Sequence, residues 1–136
     1  MAKTWTEKLN AADEPVVKPA PIAIAGMKAG QMMLRPTARM IDRFIRAVPR
    51  GRRTTVATMR SELARRAGAE VACPIYTGFH IRTVAEAAWE AFAAGAPLSS
   101  ITPFWRILDA ASPTGKRLAC GTRFIRDRRR EEGLEP

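Results

Sequence analysis

The sequence predicts a mainly α-helical domain with a small irregular or strand-bearing segment, and three observations predict it. Apolar residues recur at helical spacing in three stretches after Pro36, capping or stop residues bound those stretches, and the regions between them break the period with proline, glycine and β-branched residues. At 136 residues and 46% hydrophobic content, the chain suits one core rather than two.

Met40, Ile41, Phe44, Ile45 and Val48 place one apolar face on a helix from about Thr37 to Val48, with Arg39, Asp42, Arg43 and Arg46 between them. Pro49-Arg50-Gly51-Arg52-Arg53 then reads as a turn, because proline opposes continuation and glycine allows a positive φ. Thr54 or Thr55 caps a second helix carrying Val56, Met59 and Leu63, which closes in Arg65-Arg66-Ala67-Gly68. Val71 to Gly78 suits an extended connection or short strand. A third helix is expected from about Phe79 to Ala94, stopped by Gly95-Ala96-Pro97. Residues 98–120 hold Pro103, Ser112-Pro113 and Thr114-Gly115, so irregular structure or a small hairpin is expected there, with a strand at Phe104 to Leu108. A last helix follows from about Thr122 to Glu132. Short helices with a turn between the first two and a strand-bearing insertion suggest a winged-helix-like, helix-turn-helix arrangement over residues 36–136.

Residues 1–35 differ in character. Pro15, Pro19, Pro21, Gly26 and Gly30 interrupt any sustained period beyond a short turn over Trp5 to Leu9, so an extended arm is expected, an apolar strap rather than a charged tail.

The chain carries 23 Lys+Arg against 13 Asp+Glu, a net +10, and the charge is uneven. Arg35 to Glu70 holds ten arginines and three acids, and Lys116 to Arg130 holds seven cations against Asp127. Arginine forks onto phosphate with paired donors and stacks on bases, so the first cluster favours nucleic acid. In the second, neighbouring acids offer local pairing and a solvated face is an equal reading. No apolar run is long enough to cross a bilayer and Met1 to Lys8 lacks the apolar core of a signal peptide, so a cytoplasmic, nucleoid-associated monomer without a membrane partner is expected. Cys73 and Cys120 lack metal-ligand spacing and His80 is the single histidine, so free thiols, no metal and no cofactor are expected.

Three motifs carry a resemblance. Val48-Pro49-Arg50-Gly51-Arg52-Arg53-Thr54-Thr55-Val56 resembles the "P-x-G-x-x-T-T-Y-G-E-I-A" start of the DNA-binding region of O6-alkylguanine-DNA alkyltransferases. Ile101-Thr102-Pro103-Phe104-Trp105-Arg106-Ile107 lies where that family has "I-P-C-H-R-V", and Glu132-Gly133 is similar to its closing "L-x-x-E-G". The resemblance spans about residues 36–136. Small bacterial proteins of the same superfamily with a "T-P-x-W-R" motif are more similar still.

The resemblance implies a non-catalytic, alkyltransferase-like branch. Alkyl transfer needs an activated thiolate, and the nucleophile and base positions hold Phe104 and Trp105. It further implies that Thr54 and Thr55 touch phosphate and that Arg82 is a finger entering the duplex, while the arginine cluster itself is read as turning Arg50, Arg52, Arg53 and Arg60 towards double-stranded DNA. Pro103, Phe104, Trp105 and Arg106 form a candidate base pocket. Two readings of the aromatic pair stand side by side: it stacks a flipped or alkylated base, or it plugs a vacant pocket and joins the core. The function expected is DNA binding, with recognition of alkylated bases as a signal to a downstream repair protein. The alternatives are a general nucleic-acid-binding or scaffolding module and a thiol-dependent alkyl acceptor using Cys73 or Cys120.

Overall fold

A computed structural model describes residues 3–136. The elements run α1 (Trp5–Leu9), β1 (Val16–Pro19), β2 (Met32–Arg35), α2 (Ala38–Arg46), α3 (Val56–Arg66), β3 (Val71–Ala72), α4 (Pro74–Ala93), α5 (Pro113–Arg117) and α6 (Thr122–Glu131), with 3-10 turns at Leu98–Ser100 and Phe104–Arg106. The described residues are thus mainly helical, with one small sheet.

That sheet has the order β1-β2-β3. The first pair is antiparallel, matching Val16 to Arg35 and Pro19 to Met32. The second is parallel, Met33 to Val71 and Leu34 to Ala72, so α2 and α3 form the crossover that parallel strands require. Within the segment expected to be an extended arm, residues 16–35 form a hairpin that joins the sheet. Leu34 is fully buried and joins the main core.

Local chemistry explains most helix starts. Thr37 caps α2 by accepting the Met40 N–H, Thr55 caps α3 by accepting the Thr58 N–H, and Ser112 caps α5 by accepting the Gly115 N–H. In α1, Thr4 and Glu7 form a capping box, and Glu90 of α4 accepts the Trp5 and Thr6 N–H groups at 3.2 and 3.1 Å. This carboxylate satisfies free donors of the short helix and fixes α1 on α4.

Two expectations fail here. The third helix begins at Pro74, not Phe79, because proline at the first helical position gives up an N–H that would have no helical partner anyway. Thr77 further ties the first turn by donating from Oγ1 to the Cys73 carbonyl at 2.7 Å. The strand expected at Phe104 to Leu108 is a single 3-10 turn, with the Arg106 N–H on the Pro103 carbonyl at 3.0 Å. Neither a strand nor a hairpin forms over residues 98–120, and Thr114-Gly115 lies inside α5. Gly115 is required by close approach, since an added Cβ would collide with the Asp109 carbonyl oxygen.

α4 is the central support. Ile81, Thr83, Val84, Ala85, Glu86, Ala87 and Ala88 are all buried, and the small residues among them let neighbouring helices approach closely. Ile41 and Ile45 of α2, Met59 and Leu63 of α3, Phe104 and Ile125 share one core cluster with its buried Ile81, Val84, Ala85 and Ala88. Each large apolar side chain buried in this way stabilises the fold by about 1.5–3 kcal/mol. No helix of the described residues is long and apolar enough to cross a membrane.

Candidate functional site

The segment joining α2 to α3 presents the basic turn. Gly51 takes φ +79°, a conformation that L side chains rarely adopt, and this turns the chain so that Arg50, Arg52 and Arg53 all point to solvent. None of the ion pairs formed by the described residues uses these three arginines. The turn then runs into the free backbone donors at the start of α3, where Thr55 is exposed and Thr54 half-buried.

Although exposed, the turn is tethered. The Thr54 N–H donates to the Arg106 carbonyl at 2.8 Å, and the Gly51 N–H donates to Glu132 Oε1 at 3.0 Å. Arg106 reaches back with Nη1 to the Val48 carbonyl at 2.8 Å. The same Arg106 meets Glu132 with two bonds, Nε to Oε1 at 2.8 Å and Nη2 to Oε2 at 3.1 Å. Trp105 Nε1 completes the carboxylate's shell by donating to Oε2 at 2.6 Å. From the other side, buried Arg129 donates Nη1 to the Trp105 carbonyl at 2.7 Å and Nε to the Glu135 carbonyl.

Glu132 is therefore the hub. Burial alone raises its carboxyl pKa, but hydrogen bonds from Arg106, the Gly51 N–H and Trp105, with the Arg106 charge, outweigh it and hold the group below its ordinary value. A carboxylate that accepts four hydrogen bonds, paired with a guanidinium whose three nitrogens each donate one, makes burial of both charges tolerable.

The four residues of the candidate base pocket stand together, but mostly inside the core. Pro103 is buried, Phe104 is fully inaccessible, and Trp105 is 3% exposed. Phe104 stacks on Phe124 with centroids 6.1 Å apart and meets Trp105 edge-on at 5.4 Å. In this packing neither ring has a free face for a base. Beside them lies a cleft of about 360 Å³ lined by Arg50, Leu98, Trp105, Arg106, Arg128 and Glu132, among others. It mixes both signs of charge.

Arg60 and Arg82 lie elsewhere. Arg60 donates Nε and Nη2 to the Ala72 carbonyl at 3.1 and 2.9 Å, which caps the open end of β3. Arg82, on α4, lies over the Trp5 ring at 5.4 Å with Glu86 at 3.8 Å, in a cleft that shares no residue with the one beside Trp105. The arginines of α6 divide their roles: Arg128 pairs with Glu131, Arg123 and Arg130 approach Asp127, and Arg129 is an internal strut.

Cys73 is a buried free thiol of the smaller core cluster. Cys120 is half-buried, and burial, then the Glu86 carboxylate, pushes its thiol up to about 11. Among the described residues no three His, Cys, Asp or Glu side chains stand close enough to hold a metal ion.

Sequence reasoning did not identify Glu132 or Arg129 as structural partners of the 104–106 turn. A Trp-Arg pair heading for the interior requires an acceptor, which was the available signal, but nothing in the spacing selects an acid 26 residues away. No known protein family, curated protein or solved structure matches this chain.

Proposed function

We propose that this chain is a non-catalytic protein that binds double-stranded DNA with the turn between α2 and α3 and the start of α3, used in a winged-helix-like way. The observation that carries the proposal is the set of exposed arginines, Arg50, Arg52 and Arg53, unpaired among the described residues and held on a turn tethered through Gly51 and Thr54. Three cations fixed beside free backbone N–H groups suit phosphate oxygens, which position a protein on a duplex without reading its sequence. Arg60, whose guanidinium bonds the Ala72 carbonyl, and Arg82, which lies over Trp5 in a cleft away from the turn, are left out of this surface.

Kinship with the alkyltransferase-like branch draws support from the meeting of its three motifs at one point. The Val48–Val56 segment, the Trp105-Arg106 pair and Glu132 are far apart in the chain yet share one hydrogen-bond network. Burial of Phe104 and Trp105 favours general duplex binding over stacking of a lesion. The cleft beside Trp105 and Arg106 is what favours the second reading, recognition of an alkylated base.

Duplex binding measured by fluorescence anisotropy across a salt series tests this. Each phosphate contact contributes a slope of about −0.9 in log K against log salt, so the triple variant R50A/R52A/R53A is expected to flatten the slope by about 2–3 while keeping the thermal midpoint. Absent or salt-insensitive binding, or an unchanged slope in the variant, refutes the proposal. Equal affinity for duplexes with and without O6-alkylguanine is expected; tighter binding of the alkylated duplex would favour the second reading.

A further inference from the structure

The cleft around Arg82 has features that the DNA surface does not explain. It has a volume of about 370 Å³ and is lined by Trp5 of α1, by Ile75, Gly78, Phe79 and Arg82 of α4, and by Arg117 and Thr114 of α5. Phe79 and Ile75 are 65% and 54% exposed, one helical turn apart on the same face. Large apolar side chains exposed together beside a concave surface mark an interaction site more often than scattered ones do.

Gly78 sharpens the assignment. Glycine within a helix costs stability relative to alanine, so it calls for a packing or functional reason. Packing gives none, because a Cβ at Gly78 would meet no atom within 4 Å. The missing side chain leaves open space at the cleft instead. Arg82 adds a second sign of an unfilled site: its buried Nε has no hydrogen-bond partner, and Glu86 stands at 3.8 Å, beyond hydrogen-bond reach. Two arginines and no carboxylate line the cleft.

We infer that this cleft docks a short segment of a partner protein, with a bulky apolar side chain over Gly78 between Phe79 and Trp5 and an acidic residue on Arg82 or Arg117. Charge complementarity selects an acidic segment, since both lining charges are positive. The apolar lining selects a side-chain anchor, and aromatic and arginine enrichment is the composition of protein-binding patches. Nucleic acid fits less well, because the cluster of unpaired arginines lies at Arg50 to Arg53, outside this cleft. The inference does not rest on DNA binding.

The test is selection of a random phage-displayed peptide library on the full chain, followed by affinity measurements on the enriched peptides. Enrichment of a large apolar residue flanked by Asp or Glu is expected. Gly78→Ala is expected to raise the thermal midpoint, because alanine favours helix, yet to weaken these peptides by about tenfold or more by filling the cleft. Arg82→Gln is expected to weaken acidic peptides but not their Asn- and Gln-substituted forms. Failure to enrich that pattern, or unchanged peptide affinity in the better-folded Gly78→Ala variant, overturns the inference. So does a loss of duplex-DNA affinity in Gly78→Ala, which would make nucleic acid the occupant.

Discussion

Replacing Glu132 by alanine is expected to cost more stability than any change on the basic turn it supports. The Glu132 side chain is 3% exposed and the Arg106 side chain 14%, and the carboxylate accepts four hydrogen bonds, two from Arg106 and one each from Trp105 and the Gly51 N–H. In Glu132→Ala, Arg106 keeps the Val48 carbonyl but loses its counter-ion, and the other two donors lose their acceptor. Removing one partner of a buried ion pair costs about 3–5 kcal/mol. Small domains have only about 5–15 kcal/mol in total, so the variant should unfold at much lower urea or fail to fold. Glu132→Gln keeps the shape and one acceptor and is expected to lose less, about 1.5–3 kcal/mol. Urea unfolding with linear extrapolation at neutral pH measures both. A pH series adds an independent readout. The folded carboxyl lies below its ordinary value of 4.5, so its contribution is fully present above that value and is lost as pH falls through the folded one. The gap between wild type and Glu132→Gln should therefore shrink on acidification. A loss under about 1 kcal/mol in Glu132→Ala, or a gap that does not narrow in acid, would refute the role assigned to the network.

Other outcomes follow from single contacts. Thr55→Ala removes the α3 cap and is expected to cost about 1 kcal/mol, whereas Thr54→Ala should be near neutral because Thr54 bonds Arg106 through its backbone N–H; thermal unfolding separates them. With its thiol pushed up to about 11, Cys120 should react slowly with alkylating reagents at neutral pH, and mass spectrometry after incubation with O6-methylguanine duplex should find the chain unmodified. A stoichiometric methyl adduct would refute the non-catalytic reading. Phe104→Ala should cost about 3–5 kcal/mol, as expected for a fully buried aromatic, and little loss would show that the ring is dispensable to the core.

Helices whose ends are set by local chemistry were the most legible elements. Thr37 and Thr55 cap α2 and α3 within a few residues of the expected starts, since a cap needs only a side-chain oxygen and a nearby N–H. The expected end of α4 likewise lies close to its last residue, Ala93, before Gly95 and Pro97. Where local signals were ambiguous, the reading failed. Pro74 and Gly78 look like breakers, yet proline is harmless at the first helical position and burial of Ile81 and of Thr83 through Ala88 carries a helix interrupted by glycine. The strand expected at Phe104 lost to a 3-10 turn whose backbone is held by Arg129 and Thr54, neither of them near in sequence.

Sequence by itself determined the charge, its concentration in two arginine-rich segments, and the helices of the middle of the chain, because composition and periodicity are local properties. Which arginines stay free was decided by tertiary structure. Arg50, Arg52 and Arg53 face solvent, while Arg60, Arg106 and Arg129 are spent on distant carbonyls and on Glu132. The same holds for the aromatic pair, whose chemistry as rings was plain in the sequence but whose burial against Phe124 was not. An ion pair or a stacked ring depends on distances between segments that the order of residues does not encode locally, so only the folded chain could sort the basic side chains into those that hold the protein together and those left exposed to solvent.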